Sequence, residues 1–256
     1  MSVQSALAGT RVVGTDLVGC TVADLQRALA FYRDALGLIP SVSSENGVEF
    51  HLPDGSTFGL WQPPSDYKDF KPGFGVMFTV GDAAASAKQI QSRGGKSSDP
   101  FEGEVCNMAV VTDNEGNGVM MHQKKRRDEH LPPKAPRTLT SINGIDLAGY
   151  LVNDPQAAIA FYRDVLGLQP TDVDEEGRGA EFEFADGTTF GVWKTEDGQT
   201  GGFVMFAVAD AKAKVAELRS RGVQLSDVID STNCLMAFGP DPEGNAVVIH
   251  QRKVHA

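Results

Sequence analysis

Most of the side chains in this sequence that could do chemistry come in matched pairs. His122 and His250 each precede a glutamine. Glu49 and His51 stand two apart in Glu49-Phe50-His51-Leu52, and Glu181 and Glu183 hold the equivalent places in Glu181-Phe182-Glu183. The only two tryptophans, Trp61 and Trp193, also match, as do Cys106 and Cys234; Cys20 is the third thiol. Imidazole and carboxylate groups can exchange protons near neutral pH or hold a metal. Indole and thioether surfaces suit a planar or apolar ligand. The thiols have no base beside them in sequence, and a free cysteine ordinarily packs as a small hydrophobe. There is no Gly-x-Gly-x-x-Gly after a strand, no phosphate loop and no Gly-x-Ser-x-Gly elbow.

These pairs follow from an internal repeat. Ala30-Phe31-Tyr32-Arg33-Asp34 and Leu36-Gly37-Leu38 recur as Ala160-Phe161-Tyr162-Arg163-Asp164 and Leu166-Gly167-Leu168. Asp54-Gly55, Phe58-Gly59 and Trp61 recur as Asp186-Gly187, Phe190-Gly191 and Trp193, and Glu115-Gly116-Asn117 with His122-Gln123 recurs as Glu243-Gly244-Asn245 with His250-Gln251. The spacing predicts one domain over residues 12–125, a linker over 126–140 and a second domain over 141–253. Each half divides again, because Val-x-Asp leads into a helix four times, at Asp24, Asp82, Asp154 and Asp210. Aspartate is a favoured N-cap, and Pro155 suits a first helical position. Gly37, Gly94, Gly167 and Gly222 fall where helix C-termini want a left-handed residue. Short alternating strands with Asp-Gly or Glu-Gly-Asn turns follow each helix. The expectation is four β-α-β-β-β modules in an α+β fold.

Composition sets the class. With 41% hydrophobic and 22% charged residues the chain is globular, and its net charge of −11 argues against nucleic acid and anionic membranes. The one basic run, Lys124 to Arg127, reads as linker. Three sparse cysteines suggest a reducing compartment. No signal peptide is legible at the N-terminus, and no apolar run approaches the ~18 residues of a membrane span. A cytoplasmic protein, monomer or homodimer, is expected.

The pattern Val-x-Asp, Phe-Tyr-Arg-Asp-x-Leu-Gly-Leu, Asp-Gly then Trp, Glu-Gly-Asn then His-Gln resembles the vicinal oxygen chelate superfamily of glyoxalase I, bleomycin-resistance proteins and extradiol dioxygenases. The resemblance covers both halves. It implies glyoxalase/bleomycin-resistance-like domains with cupped mixed sheets, and a divalent metal held by His, Glu or Gln on the first and last strands of each module. Those positions here are Leu17, Gly59, Gly75 and Met120, then Leu147, Gly191, Phe203 and Val248. None can bind a hard cation through its side chain. A one-residue slip would bring in Asp16 and Asp146, but period-two geometry would turn each strand over. No metal is expected at the usual place.

Alternation puts Phe50, Leu52, Phe58 and Leu60 against the helices, which leaves Glu49, His51, Gly59 and Trp61 on the concave side with Glu181, Glu183, Gly191 and Trp193. Met77, Met120, Phe203, Met205, Val248, His122 and His250 join them. The first functional expectation is metal-independent binding of a small apolar or aromatic molecule through Trp61, Trp193, His51, Met77, Met120, His122, Glu183, Phe203, Met205 and His250. The alternative is a divalent-metal lyase, isomerase or dioxygenase whose displaced site uses His122, His250, Glu49 and Glu181. A third is a structural or interaction protein whose cups are plugged by these residues.

Overall fold

The computed structural model describes residues 9–65, 72–125, 142–196 and 198–253. The predicted linker over 126–140 therefore lies outside the described residues, as do His130 and His255. Lys124, expected in the linker, is the last residue of a strand.

Four β-α-β-β-β modules are present. The first runs β1 (Gly14–Thr21), α1 (Leu25–Leu29, continued by π-helical turns over Ala30–Ala35), β2 (Val42–Ser43), β3 (Gly47–His51) and β4 (Thr57–Trp61). The second runs β5 (Gly73–Thr79), α2 (Ala83–Ser92), β6 (Lys96–Ser97), a short added β7 (Phe101–Glu102), β8 (Cys106–Thr112) and β9 (Gly118–Lys124). The third has β10 (Ile142–Val152), α3 (Pro155–Ala160, then π-helical Phe161–Val165), β11 (Asp172–Val173), β12 (Gly179–Glu183) and β13 (Thr189–Lys194). The fourth has β14 (Gly201–Val208), α4 (Ala211–Ser220), β15 (Ile229–Asp230), β16 (Cys234–Pro240) and β17 (Ala246–Arg252).

The punctuation acts as the residue types require. Asp24, Asp82, Asp154 and Asp210 each accept a backbone N–H from the first turn of their helix. Gly37, Gly94, Gly167 and Gly222 close the helices at φ between 80° and 86°, a region only glycine enters without strain.

Each repeat contributes one mixed sheet, in the order β2-β3-β4-β1-β5-β9-β8-β6 and, matching it, β11-β12-β13-β10-β14-β17-β16-β15. By contacts the chain forms two compact units that cut across the repeat. One takes Gly75–Pro132 of the first repeat and Gly149–Gly201 of the second, with Met1–Leu17; the other takes Val18–Phe74, Pro133–Ala148 and Gly202–Ala256. Each unit is thus one module from each half.

Each unit has its own aromatic core. In the Gly75–Pro132/Gly149–Gly201 unit, Phe190 meets Tyr162 at 4.7 Å and Phe78 at 5.1 Å between ring centres. In the other, Phe58 meets Tyr32 at 4.7 Å and Phe206 at 5.3 Å. Phe50, Leu52, Phe58 and Leu60 are all buried, as alternation required. Burying each such ring stabilises by about 1.5–3 kcal/mol.

Candidate functional site

The polar centre of each repeat is a histidine–aspartate pair. In the first, His122 Nδ1 on β9 lies 2.5 Å from Asp16 Oδ2 on β1, and Lys124 Nζ binds the other oxygen, Oδ1. In the second, His250 Nδ1 lies 2.6 Å from Asp146 Oδ2, and Arg252 Nε donates to Oδ1 at 3.1 Å. The His122 and Asp16 side chains keep only 11% and 12% of their exposure. Burial pushes the Asp16 carboxyl up, but the hydrogen bonds and charges of His122 and Lys124 outweigh it and hold Asp16 below the ordinary carboxylate range. An ionised carboxylate can only accept, so Nδ1 of His122 carries the proton and Nε2 is the group left over.

Strict alternation hid these aspartates. Asp16 shares its parity with buried Val18 and Cys20, so a regular strand would turn it toward the helices. The backbone N–H of Thr15 donates to Thr188 Oγ1 at 2.8 Å, and that of Ile145 to Asp54 Oδ2 and Ser56 Oγ at 3.2 Å. Each of these two N–H groups thus goes to side chains at an Asp-Gly turn of the other repeat. Asp16 and Asp146 nonetheless bond His122 and His250. The signal available in sequence was the repeat itself, which puts Asp16 and Asp146 at matching positions.

Register shows what stands beside His122. Across β5, β9 and β8, Thr79, His122 and Met108 form one row, and Met77, Met120 and Val110 the next. A β-carbon placed on Gly75, one step further, would make only ordinary contacts, with the Gly118 carbonyl oxygen at 3.8 Å and Met120 Cε at 4.0 Å. Val110 is 45% exposed. The second repeat repeats the rows with different residues: Ala207, His250 and Met236; Met205, Val248 and Phe238; Phe203, Ala246 and Pro240. Phe203 and Val248 are buried there, at 3% and 1% exposure. On the first face Gly75, Met77 and Met120 are part-exposed and Thr79 carries a hydroxyl; on the second Phe203 and Val248 are buried, while Met205 stays part-exposed and Phe238 is 39% exposed. Thr79, Met108 and Val110 were not among the expected residues. They lie off the usual ligand positions; Met108 and Val110 reach His122 and Met120 across the β8–β9 hairpin, and Thr79 through the pairing of β5 with β9.

The remaining predicted residues divide between the units. Glu49, His51 and Trp61 sit on β3 and β4, opposite the buried phenylalanines, with His51 Nε2 at 3.4 Å from Glu49. Trp61 is 44% exposed and stands over Gly47, its register partner. Trp193 lies against Gly179 in the same way, so closely that a β-carbon there would fall 2.5 Å from the ring. Glu181 faces Gly191 and Glu183 faces Thr189 across β12 and β13. Cys20 is buried and Cys106 and Cys234 partly so, all as free thiols; burial pushes the Cys20 thiol well up, with the Asp241 charge adding to it, so it is no nucleophile. A separate hollow of about 330 Å³, lined by Phe31, Ala35, Arg221 and Pro240, contains none of the predicted residues.

The residues at the usual ligand places do not fit a divalent metal. Leu17, Gly75, Met120, Leu147, Phe203 and Val248 offer no hard donor, and a β-carbon on Gly149 would fall 1.8 Å from the carbonyl oxygen of Gly191, so that place is closed by backbone. Among the described residues no three His, Cys, Asp or Glu side chains converge as a metal site. His122 could supply one nitrogen, where three protein ligands are the usual catalytic set.

Modules of this order, paired into mixed sheets and repeated in tandem, define an architecture that other proteins share. The Glyoxalase/Bleomycin resistance protein/Dioxygenase superfamily model matches this chain twice, over residues 14–121 and 144–249, and the protein belongs to that superfamily. Among solved structures it is similar to homoprotocatechuate 2,3-dioxygenase from Arthrobacter globiformis, at 16% identity and a TM-score of 0.69 over 95% of this chain and 80% of that one. A variant of the enzyme of the same name from B. fuscum gives 15% identity and 0.71, over 96% and 74%. A mutant of 4-hydroxymandelate synthase from Streptomyces coelicolor gives 16% and 0.69, over 96% and 94%. At such identities the likeness speaks for the fold alone. No curated protein sequence matches. No helix among the described residues is long and apolar enough to cross a membrane.

Proposed function

We propose that this protein binds a small apolar or aromatic molecule without a metal, against the open face of β5, β9 and β8 in the first repeat. The supporting observation is the contrast between matched positions: Gly75 and Met120 are part-exposed where Phe203 and Val248 are buried. Two methionines and a half-exposed valine make an adaptable apolar lining, and His122 with Thr79 supplies a few polar groups at one edge, the usual composition of a small-molecule site. Filling the opening should abolish binding. Gly75→Phe, which copies the second repeat, is expected to lose the ligand while leaving the fold intact. A dye-displacement screen of aromatic compounds, run with and without a chelator, checks this. Equal binding by Gly75→Phe would place the ligand elsewhere.

The second reading is a divalent-metal enzyme of glyoxalase or dioxygenase type with a displaced site. Its support is the fold shared with dioxygenases and the spare nitrogen of His122 and His250. Elemental analysis of protein prepared without chelator separates the two. Well under one equivalent of Fe, Mn, Ni or Zn per chain is expected; a stoichiometric metal lost in His122→Ala would reverse the order of the readings.

A further inference from the structure

We propose that His122, backed by Asp16, is a proton acceptor for the bound molecule, so that the ligand of the first repeat carries a weakly acidic O–H or N–H group on an apolar or aromatic body. This rests on the binding face proposed above and names the class of molecule that face would take.

The imidazole of His122 has one nitrogen to spare. Nδ1 is committed to Asp16. Among the described residues Nε2 has no hydrogen-bond partner, and it is not sealed away, since the buried unpartnered side-chain atoms are Thr15 Oγ1 and Asn107 Oδ1 only. A neutral imidazole that donates through Nδ1 presents a lone pair at Nε2, and a carboxylate behind it steadies the imidazolium that forms when Nε2 takes a proton. The proton leaves the ligand heteroatom and joins Nε2, and the ligand stays as an anion beside the new cation. Lys124 holds the far oxygen of Asp16 and fixes the carboxylate in place. Thr79, the register neighbour of His122, brings a hydroxyl that can donate to the same anion.

The matched histidine lacks these surroundings. His250 has the same bond to Asp146, but Ala207 stands where Thr79 does, and Phe203 and Val248 fill the adjoining rows. An apolar body has less room beside it, since His250, Phe203 and Val248 are all buried. The acceptor therefore occurs once per chain, in the first repeat.

The test uses the full chain and two probes of the same size, 4-nitrophenol and its methyl ether 4-nitroanisole. The nitrophenol absorbance separates phenol from phenolate. The wild-type protein is expected to bind both and to lower the ionisation midpoint of bound nitrophenol by about one pH unit, a roughly tenfold preference for the anion. His122→Gln should remove that shift and keep nitroanisole binding, which serves as its folding control. Asp16→Asn should shrink the shift, and His250→Gln should leave it as in wild type. Nitroanisole binding with an unmoved nitrophenol midpoint would falsify the acceptor role and leave the apolar site standing. The acceptor role at His122 is likewise overturned if His250→Gln, rather than His122→Gln, removes the shift. Binding of neither probe overturns the acceptor and the site together.

Discussion

Among the described residues, Asp113 and Asp241 are the two buried aspartates. Asp241 accepts from Tyr32 Oη at 2.7 Å and Asn245 Nδ2 at 2.9 Å; Asp113 accepts from Tyr162 Oη at 3.0 Å and Asn117 Nδ2 at 2.9 Å. The tyrosine of each Phe-Tyr-Arg-Asp block is thus tied to the turn before a Glu-Gly-Asn block, and the repeat motifs are explained by architecture. Burial first, then the aspartate charge, pushes both tyrosine hydroxyls far up, so they stay protonated donors. Removing one donor from a buried carboxylate costs about 1.5–3 kcal/mol. Tyr32→Phe and Tyr162→Phe should each lower the melting temperature by that equivalent, read by thermal unfolding.

Asp16 adds a pH dependence. Its folded value lies below its unfolded one, so its contribution is present above about pH 4 and fades as pH falls through the lowered value. Asp16→Asn should cost about 2–3 kcal/mol at neutral pH, given two charge-assisted hydrogen bonds. The gap between the melting temperatures of the variant and the wild type should close below pH 4; a constant gap from pH 3 to pH 7 would contradict this assignment. His122 and His250 were legible as a matched pair from sequence. Their partners were not, because strict alternation sets Asp16 on the same side as buried Val18 and Cys20.

Helices, strands and turns could be read almost entirely in advance. The four Asp caps, the four closing glycines and the Asp-Gly turns are local chemistry, set by residues a few positions apart. What the sequence could not show were approaches between distant strands. Gly14 and Gly144 are bare because the carboxylates of Asp186 and Asp54 occupy the space of a β-carbon, at 1.7 and 1.8 Å from its place. Gly149 is bare because the backbone of Gly191 does. A side chain at Gly149 cannot be relieved by a rotamer, since its obstacle is main chain. Gly149→Ala is therefore expected to cost about 1–3 kcal/mol or to block soluble expression, whereas Gly75→Ala, whose β-carbon would make only ordinary contacts, should be neutral to folding in the same denaturation assay.

Over the full chain, the repeat boundary and the packing boundary differ. Tyr32 needs Asp241, Tyr162 needs Asp113, and the backbone N–H groups of Asn153 and Asp154 need the carboxylate of Glu115 at 2.9 and 2.8 Å. Either repeat expressed alone loses one side of every such bond. Residues 12–125 by themselves should show no cooperative unfolding transition, and mixing them with residues 141–253 should restore one. Sequence periodicity counts copies, and it is blind to which copy completes which core, because equivalent residues serve equally well in either pairing.

Crossed completion also bears on how such a chain could arise and change. A single repeat with this packing could satisfy both of its modules only by exchanging them with a second molecule under two-fold symmetry. Joining two copies in one polypeptide replaces that encounter by a tether and holds the partner at high effective concentration. It also releases the copies from identity. In a symmetric pair any change at position 75 would appear twice; in the fused chain one copy keeps glycine while the other keeps phenylalanine at 203. One half can then hold the scaffold while the other is free to take on a ligand.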